Sequence, residues 1–401
     1  MWNFINIIYI FLIFLFVITI STLYYIKKRY PYSEIAKLLT IKRKEINKVR
    51  VRFAPSPTGF MHIGNIRTLL FNYFFAVKQK GQLILRIEDT DKNREDPRSL
   101  QYFKEVCEWL KIDFDESPYI GGKYGPYVQS QRASIYKIYI DYLLRKGYAY
   151  RAFDSLEELD EMKKKIKNFS YGNLTRYMVG MKNELNMKPH EIKEYLDKKV
   201  PYVVRLKIPV KETIKCKDYL RKEMSFDTKD MDDKVLWKSS TKLPTYHFAS
   251  VIDDHLMKIS HVIRGDEWLA SLPYHIYLYK CLGWEPPIFI HTPIMADPEG
   301  KGKLSKRKTY DFPVFPISFK DEKDDIKGFR EEGFSREGFI NFLMLNGWNP
   351  GDDKEIMSVH EIAELFSIDR IKTSQSRFNY QKALFINKKH KSKSNGKSKD
   401  N

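Results

Sequence analysis

The sequence predicts an α/β fold in which helices cover both faces of a parallel sheet. Strand and helix patterns alternate between residues 49 and 150, the alternation returns after residue 238, and polar residues directly follow two apolar strands. Alternation of this kind favours parallel pairing, because each helix carries the chain back across the sheet to begin the next strand. Ligands of such sheets bind at the carboxyl ends of the strands, so the polar residues there are candidate site residues.

The first strand, "VRVRF", leads through the loop "APSPTGFMHIGN" into a segment with the apolar spacing of a helix. Pro55 and Pro57 stiffen this loop, because each fixes its own φ and keeps the preceding residue out of the helical region. The N-terminus of the following helix offers N–H groups and the positive end of the dipole, which favour a phosphate. His62 is placed to donate a hydrogen bond to that phosphate. The alternative is an ordinary turn with a solvated histidine.

Two other stretches place charged residues at predicted strand ends. Glu88, Asp89 and Asp91 follow the strand in "LRIEDTD", where carboxylates would bind an amino group or a magnesium ion, or else cap the next helix. Arg264 follows the apolar "HVI", where a guanidinium can bind a carboxylate through two parallel hydrogen bonds. The alternative for Arg264 is a surface ion pair with Asp266.

Residues 300–309, "GKGKLSKRKT", form a glycine-flanked loop that is dense in lysine. Such a loop can close over a polyphosphate, with Lys303 and Lys306 neutralising charge as it builds in a transition state. The alternative is a solvated basic surface.

The net charge of +19 argues only weakly for a nucleic-acid partner, because much of it lies outside the predicted folded body. Residues 27–48 carry +6 and residues 388–401 carry +5, which leaves +8 for residues 49–387. The three cysteines form no CxxC pair, and of His247, His255 and His261 the first and the last are separated by two predicted elements. These spacings indicate neither a disulfide framework nor a metal centre.

The pattern changes along the chain predict seven segments. They are an uncharged hydrophobic leader or signal anchor (1–26), a basic linker or targeting segment (27–48), the first half of the sheet domain (49–150), an inserted subdomain with charged helical stretches (151–237), the second half of the sheet domain (238–310), a helical region (311–387) and a disordered Lys-rich tail (388–401).

Several of these strings together resemble a known family. "HIGN" resembles the HIGH signature of class I aminoacyl-tRNA synthetases, and "KLSKR" resembles their KMSKS loop. The longer strings "RFAPSPTGFMHIGN", "RIEDTD", "GPYVQSQR", "PTYHFASVIDDHLM" and "VIRGDEWLASLP" are similar, in order and spacing, to bacterial-type glutamyl-tRNA synthetase. The resemblance covers residues 49–387. It implies a class I Rossmann-like catalytic domain, an acceptor-stem-binding insertion and a helical stem-contact region.

The resemblance also implies the reaction and the partners. The enzyme would activate L-glutamate with ATP and Mg²⁺ to glutamyl-AMP and transfer it to the 3′ end of tRNA(Glu), as a monomer. Transfer to tRNA(Gln), for indirect synthesis of glutaminyl-tRNA, is left open. Family members continue into an anticodon-binding domain, which is expected to be absent here because the chain passes "FNYQKALFIN" and becomes Lys-rich.

The site residues implied by the resemblance fall into three sets. Those for catalysis are His62, Lys303 and Lys306; those for ATP are His62, Gly64, Asn65, Glu267, Met295, Lys303, Ser305 and Lys306; and those for glutamate are Arg52, Ala54, Ser56, Glu88, Tyr246, Ser250 and Arg264. Ser250 departs from the family, which usually has asparagine there. The resemblance implies no protein-bound metal, because Mg²⁺ is carried by ATP. Either Arg52 or Arg264 could bind the side-chain carboxylate of glutamate.

Three other functions are kept as alternatives. They are a non-catalytic, membrane-tethered tRNA-binding derivative, a truncated paralogue that glutamylates a tRNA base, and a glutaminyl-tRNA synthetase, which usually reads "PPEPNG" where this chain has "APSPTG".

The N-terminal segments predict an address. Residues 1–26 carry no ionisable side chain and are long enough to span a bilayer, so they would contact a membrane if they are retained. A bacterial-type synthetase behind such a segment predicts delivery through the secretory route to an apicoplast-like plastid. Import into a mitochondrion and anchoring in a membrane are the alternatives.

Overall fold

The computed structural model describes residues 48–299, 302–304, 308, 310–320 and 325–397, with side chains as far as residue 393. The elements of the first half are β1 (Arg50–Phe53), α1 (Ile63–Lys78), β2 (Gln82–Leu85), α2 (Arg98–Leu110), α3 (Ala133–Arg145), β3 (Ala149–Ala152), α4 (Leu156–Lys165), α5 (Pro189–Asp197), β4 (Val203–Leu206), β5 (Thr213–Asp218), β6 (Lys222–Asp227), β7 (Val235–Lys238) and β8 (Leu243–Pro244). Those of the second half are α6 (Tyr246–Leu256), β9 (His261–Gly265), α7 (Leu272–Leu282), β10 (Ile288–Thr292), β11 (Met295–Ala296), β12 (Phe319–Lys320), β13 (Asp325–Ile326), α8 (Arg336–Leu345), α9 (Val359–Leu365), β14 (Ser376–Arg377) and α10 (Tyr380–Lys397).

The sheet that the resemblance assigns to the catalytic domain, named the catalytic sheet here, is parallel where the sequence predicts it to be. β1 pairs in parallel with β2, and β10 pairs in parallel with β9 on one side and with β5 on the other. The N–H of Ser260, just before β9, donates to the carbonyl of Arg50 on β1 at 2.9 Å, which brings the two halves of the domain together. The carboxyl ends of β1, β2 and β9 therefore meet at one edge, which places "APSPTG", "EDTD" and Arg264 around the same space.

The predicted insertion at 151–237 is divided between two sheets. β3, β4, β7 and β8 form an antiparallel sheet in that order, and a small core of its own packs around Tyr150, Tyr171 and Met181. The hairpin of β5 and β6 leaves this unit and extends the catalytic sheet, in the order β6-β5-β10-β9. The physical reason is that β5 alternates buried and exposed residues and supplies one buried face to the edge of that sheet.

The helical region packs directly on the catalytic domain. α1 is apolar around most of its circumference, because β1, β2 and β9 cover one side of it and α8 and α9 cover another. Phe71 of α1 stacks on Phe366 at 6.0 Å, and Trp109 of α2 lies 4.9 Å from Phe339 of α8. One apolar core therefore joins β1, β2 and α1 to the helical region 311–387.

The Lys-rich tail differs from the expectation of disorder, because α10 continues as far as Lys397. His390 is buried, and its Nε2 lies 2.9 Å from Oδ1 of Asn341 on α8. Exposed lysines on either side of it, such as Lys389 and Lys391, point the charge away from the core. Disorder was predicted from composition alone, and composition carries no information about tertiary contacts. The buried contact of His390 with α8 is such a contact.

The predictions for residues 1–47 and 398–401 lie outside the described residues. Within the part of the chain that the structure describes, we find no helix with both the length and the apolar character needed to cross a membrane.

Candidate active site

A cavity of about 590 Å³ opens at the carboxyl edge of the catalytic sheet. Most of the residues predicted from the sequence line it, namely Arg52, Ala54, Ser56, His62, Gly64, Asn65, Glu88, Tyr246, Arg264, Glu267, Met295 and Lys303. Residues that are distant in sequence meet here because the strands that carry them end at one edge.

His62 is the N-cap of α1, and its imidazole is oriented by local hydrogen bonds. The ring atom Nδ1 of His62 accepts from the backbone N–H of Gly64 at 3.0 Å. The backbone N–H of His62 donates to the side-chain oxygen of Asn65 at 3.2 Å. Because Nδ1 is an acceptor, the ring proton of the neutral histidine is on Nε2, which makes Nε2 the donor atom of the ring. A Cβ on residue 64 would lie 2.6 Å from the ring of His62, so only glycine fits beside it.

The inner wall of the cavity holds a buried network of charges. Arg52 donates from Nε to Asp254 Oδ1 at 3.0 Å, and Arg86 donates to the same oxygen at 2.8 Å. Arg86 also donates to Glu88 at 3.0 Å. Burial acts to raise the pKa of Asp254, but Arg52 and Arg86 outweigh it and hold that pKa below its usual value. For Glu88 burial prevails over the two arginines, and its pKa is raised.

Arg264 is buried at 5% exposure, yet it contacts no carboxylate among the described residues. It donates from Nε to His291 Nε2 and from Nη1 to the hydroxyl of Tyr246, both at 2.9 Å, and from Nη2 to the carbonyl of Trp268 at 3.3 Å. All three acceptors are neutral, because burial lowers the pKa of His291 to about 4. The surface ion pair of Arg264 with Asp266 that the sequence left open does not form, since Asp266 pairs with Arg221. Arg264 is therefore a fixed, buried cation without an anion in contact.

At the outer end of the cavity, Glu267 and Lys303 form an ion pair with 2.7 Å between Oε1 and Nζ. Burial acts to raise the pKa of Glu267, but the bond from Lys303 holds it below its usual value. The Lys-rich loop is thus anchored at Lys303 to the segment that follows β9. Ser305 and Lys306, also predicted for this loop, lie outside the described residues.

Ser250 is not part of the lining. It is fully buried in α6, and its hydroxyl makes no hydrogen bond with the described residues. Ser250 therefore does not line the cavity, and its contact with the amino acid stays a prediction.

The comparisons with known proteins agree with this geometry. Residues 48–384 match the family described as class I tRNA synthetases (E and Q), catalytic domain. A glutamate–tRNA ligase of Bacteroides fragilis is 50% identical over 346 residues, which cover 85% of this chain and 68% of that protein. The corresponding ligase of Bacteroides thetaiotaomicron is 49% identical over 345 residues, with the same coverage. The chain belongs to the glutamate–tRNA ligases.

A solved structure supports the same assignment for this ligase. The glutamate tRNA ligase of Elizabethkingia meningosepticum, crystallised with its amino acid, has a TM-score of 0.83 and 45% identity, and the match covers 86% of this chain and 70% of that one. The predicted resemblance to a bacterial-type glutamyl-tRNA synthetase, the class I fold and the ligase activity are thereby confirmed.

The predicted delivery of the ligase to an apicoplast-like plastid, with a mitochondrion or a membrane as alternatives, is wrong. Relatives that match at 46–50% identity include the enzymes of the bacteria Bacteroides fragilis and Porphyromonas gingivalis. This similarity to enzymes of bacteria overturns the expectation of import into an organelle.

Sequence reasoning missed several residues that shape the site of this ligase. Arg67 lines the cavity and donates to the carbonyls of Pro293 and Asn346, while burial lowers its pKa to about 10. Arg86 and Asp254 complete the charge network of the inner wall. One signal was available: a charged residue inside an apolar run, as in "LILRI" or "VIDDHL", needs a buried partner and therefore indicates a network.

Proposed function

We propose that this cavity activates glutamate with ATP and then loads it onto tRNA(Glu). The α-carboxylate of glutamate attacks the α-phosphorus in line, the bond to the β-phosphate oxygen breaks, and pyrophosphate leaves. A hydroxyl of the terminal adenosine of the tRNA then attacks the carbonyl carbon of glutamyl-AMP and releases AMP. No side chain acts as a nucleophile, so catalysis depends on positioning and charge stabilisation.

Arg264 is the observation that carries this proposal. A buried guanidinium held only by neutral acceptors is costly until an anion joins it, so the inner wall favours a ligand with a carboxylate. The charge of Arg52 is already matched by Asp254, and we assign Arg52 as an additional donor rather than as the main cation. The hydroxyl of Tyr246 accepts from Arg264, which leaves its proton free to be donated to the bound carboxylate.

The same arrangement supports selection of glutamate over glutamine. Glutamine would bring an NH₂ group to a guanidinium that has only donors, and both groups would be left unpaired in a buried site. Sites of this kind reject the wrong substrate by about 10⁴-fold or more. Glu88, which lines the cavity, is our candidate partner for the α-ammonium. A bound ammonium would also favour the ionised form of this carboxyl, whose pKa burial raises.

The outer end of the cavity suits ATP. His62 Nε2 and the N-terminus of α1 would bind phosphate oxygens, with Gly64 and Asn65 in the first turn of the helix, and Met295 would pack on the base. Lys303 would leave Glu267 for the phosphates, and Ser305 and Lys306 would close the loop over them. Mg²⁺ would travel with the phosphates of ATP and neutralise part of their charge.

ATP–pyrophosphate exchange by the full chain tests this proposal. With glutamate, ATP, Mg²⁺ and tRNA(Glu) present, we expect exchange, followed by charging of the tRNA. Glutamine in place of glutamate should support at most about 10⁻⁴ of the rate. Absence of exchange with glutamate, or equal exchange with glutamine, would refute it. Charging of tRNA(Gln) in the same assay tests the second substrate that the sequence leaves open.

Replacing Lys303 by Ala should lower the kcat of exchange by roughly 10²-fold and leave the KM for glutamate unchanged, because the charge acts on the transferring phosphates. The stability of the folded state should change little, since an ion pair as exposed as Lys303–Glu267 contributes only about 0–1 kcal/mol. Steady-state exchange kinetics and a thermal melt measure the two quantities.

Lys308→Ala is the matched control for this prediction. Lys308 belongs to the same loop, is 43% exposed and pairs with Asp297 and Glu299 at 3.2–3.3 Å, away from the cavity lining. The kcat of the Lys308→Ala variant should stay within about threefold of the wild-type value. A loss as large as that of Lys303→Ala would mean that general loop charge, rather than the position of Lys303, is what matters.

A further inference from the structure

We infer that Asp218 and His291 are positioning residues that orient Arg264 for recognition of the substrate carboxylate. This inference rests on the proposed function, because it concerns the same guanidinium. Neither residue lines the cavity, and both are fully buried behind Arg264. They act on the substrate only through Arg264.

His291 is held in one tautomer. Its Nδ1 lies 2.8 Å from Asp218 Oδ2, and its own backbone N–H donates to that oxygen at 3.0 Å. An ionised carboxylate can only accept, so the ring proton is on Nδ1 and the lone pair is on Nε2. Nε2 accepts from Arg264 Nε at 2.9 Å, which completes a chain from carboxylate through imidazole to guanidinium. The neutral ring can play this part at ordinary pH, since its pKa is lowered to about 4.

Asp218 cannot rotate away from His291. Its other oxygen, Oδ1, accepts from the backbone N–H groups of Leu220 and Arg221, both at 3.0 Å. Burial acts to raise the pKa of Asp218, but the contacts with His291 and with the backbone N–H groups of Arg221 and His291 together outweigh it, and the pKa stays below its usual value. Asp218 is the last residue of β5 and lies opposite Phe289 of β10. The β5–β6 hairpin therefore carries this carboxylate to the back of the site.

A neutral acceptor suits Arg264 better than a carboxylate would. Arg52 is fixed by direct contact with Asp254, and that contact neutralises it. Arg264 is fixed at Nε by an imidazole, so its plane is set while its charge stays available for a ligand. Asp218 does not contact Arg264 itself, so its negative charge acts on the guanidinium only through the imidazole ring of His291. The arrangement orients the guanidinium without blocking it, which is what bidentate binding of a carboxylate needs.

Two substitutions of His291 separate orientation from general stability. In His291→Asn the amide overlies Nδ1, so it can still donate to Asp218 but cannot reach Arg264. In His291→Gln the amide oxygen overlies Nε2, so it can still accept from Arg264. We expect the KM for glutamate to rise about tenfold in the Asn variant and to stay within about threefold in the Gln variant, with the KM for ATP unchanged in both.

Asp218→Asn tests the tautomer. An NH₂ group facing Nδ1 would move the ring proton to Nε2 and set two donors, His291 and Arg264, against each other. The KM for glutamate should rise as in His291→Asn. His390→Asn is the control, because His390 is also a buried histidine bonded to a side-chain oxygen but lies on α10, and its KM for glutamate should not change.

The possible outcomes distinguish failure of the proposed function from failure of the inference about Asp218 and His291. If exchange is absent in the wild type, the proposed function fails; if the wild type is active and His291→Asn and His291→Gln have equal KM for glutamate, this inference alone fails. A lowered melting temperature with an unchanged KM would assign His291 a purely structural role. Should the variants not fold, the ¹⁵N shifts of His291 in the wild type still decide, because a proton on Nε2 contradicts the inference.

Discussion

Arg264→Lys is expected to lower kcat/KM for glutamate by roughly 10³-fold, almost as far as Arg264→Ala. A guanidinium donates in one plane to His291 and Tyr246 and still presents N–H groups to a ligand. An ammonium is a point charge that cannot reach these acceptors and a carboxylate together. It also leaves the lone pair of His291 Nε2 buried and unpaired. Exchange kinetics with varied glutamate measure the loss.

An exposed arginine gives the control for this prediction. Arg145, at the end of α3, is solvent-exposed and remote from the cavity, so Arg145→Lys should keep kcat/KM within about twofold. If Arg264→Lys retained most of kcat/KM, positive charge alone would be sufficient and the bidentate geometry would not matter. Far-ultraviolet circular dichroism should confirm that the Lys variant is folded before its kinetics are compared.

Asp253→Ala is expected to reduce the free energy of unfolding by about 3–5 kcal/mol. Asp253 is fully buried in α6, and it accepts from Arg132 Nε at 2.7 Å, from the hydroxyl of Tyr136 at 2.7 Å and from Gln129 Nε2 at 2.9 Å. Removing it leaves the guanidinium of Arg132 buried without its carboxylate. Urea denaturation followed by circular dichroism measures the change.

Asp141→Ala is the matched control for stability. Asp141 pairs with Lys137 one turn away on α3, and that lysine is 45% exposed. Screening by water limits such a pair, so the free energy of unfolding should change by no more than about 0.5 kcal/mol. Equal destabilisation by the two substitutions would mean that the buried network around Asp253 contributes no more than a surface ion pair.

The sequence by itself determined the features whose causes are local. The strand, the stiff loop and the helix that begins at His62 follow from residues within a few positions of one another, and the capping contacts of His62 with Gly64 and Asn65 are equally short in range. The gathering of Glu88 and Arg264 was predictable too, because parallel strands bring their carboxyl ends to one edge. Ordered motifs were sufficient to name the family.

Tertiary structure alone decided the features that depend on partners far away in the chain. Arg52 and Arg264 look alike in the sequence, yet one is neutralised by Asp254 and the other is held by His291, so their roles differ. In the sequence β5 lies within the predicted insertion, but in the structure it pairs with a strand of the catalytic sheet. This pairing brings Asp218, at the end of β5, to His291. In the described part of the tail, residues 388–397, the chain is helical, and His390 contacts a residue 49 positions earlier. The local sequence pattern does not predict such contacts, because burial and charge pairing depend on which distant surfaces the fold brings together.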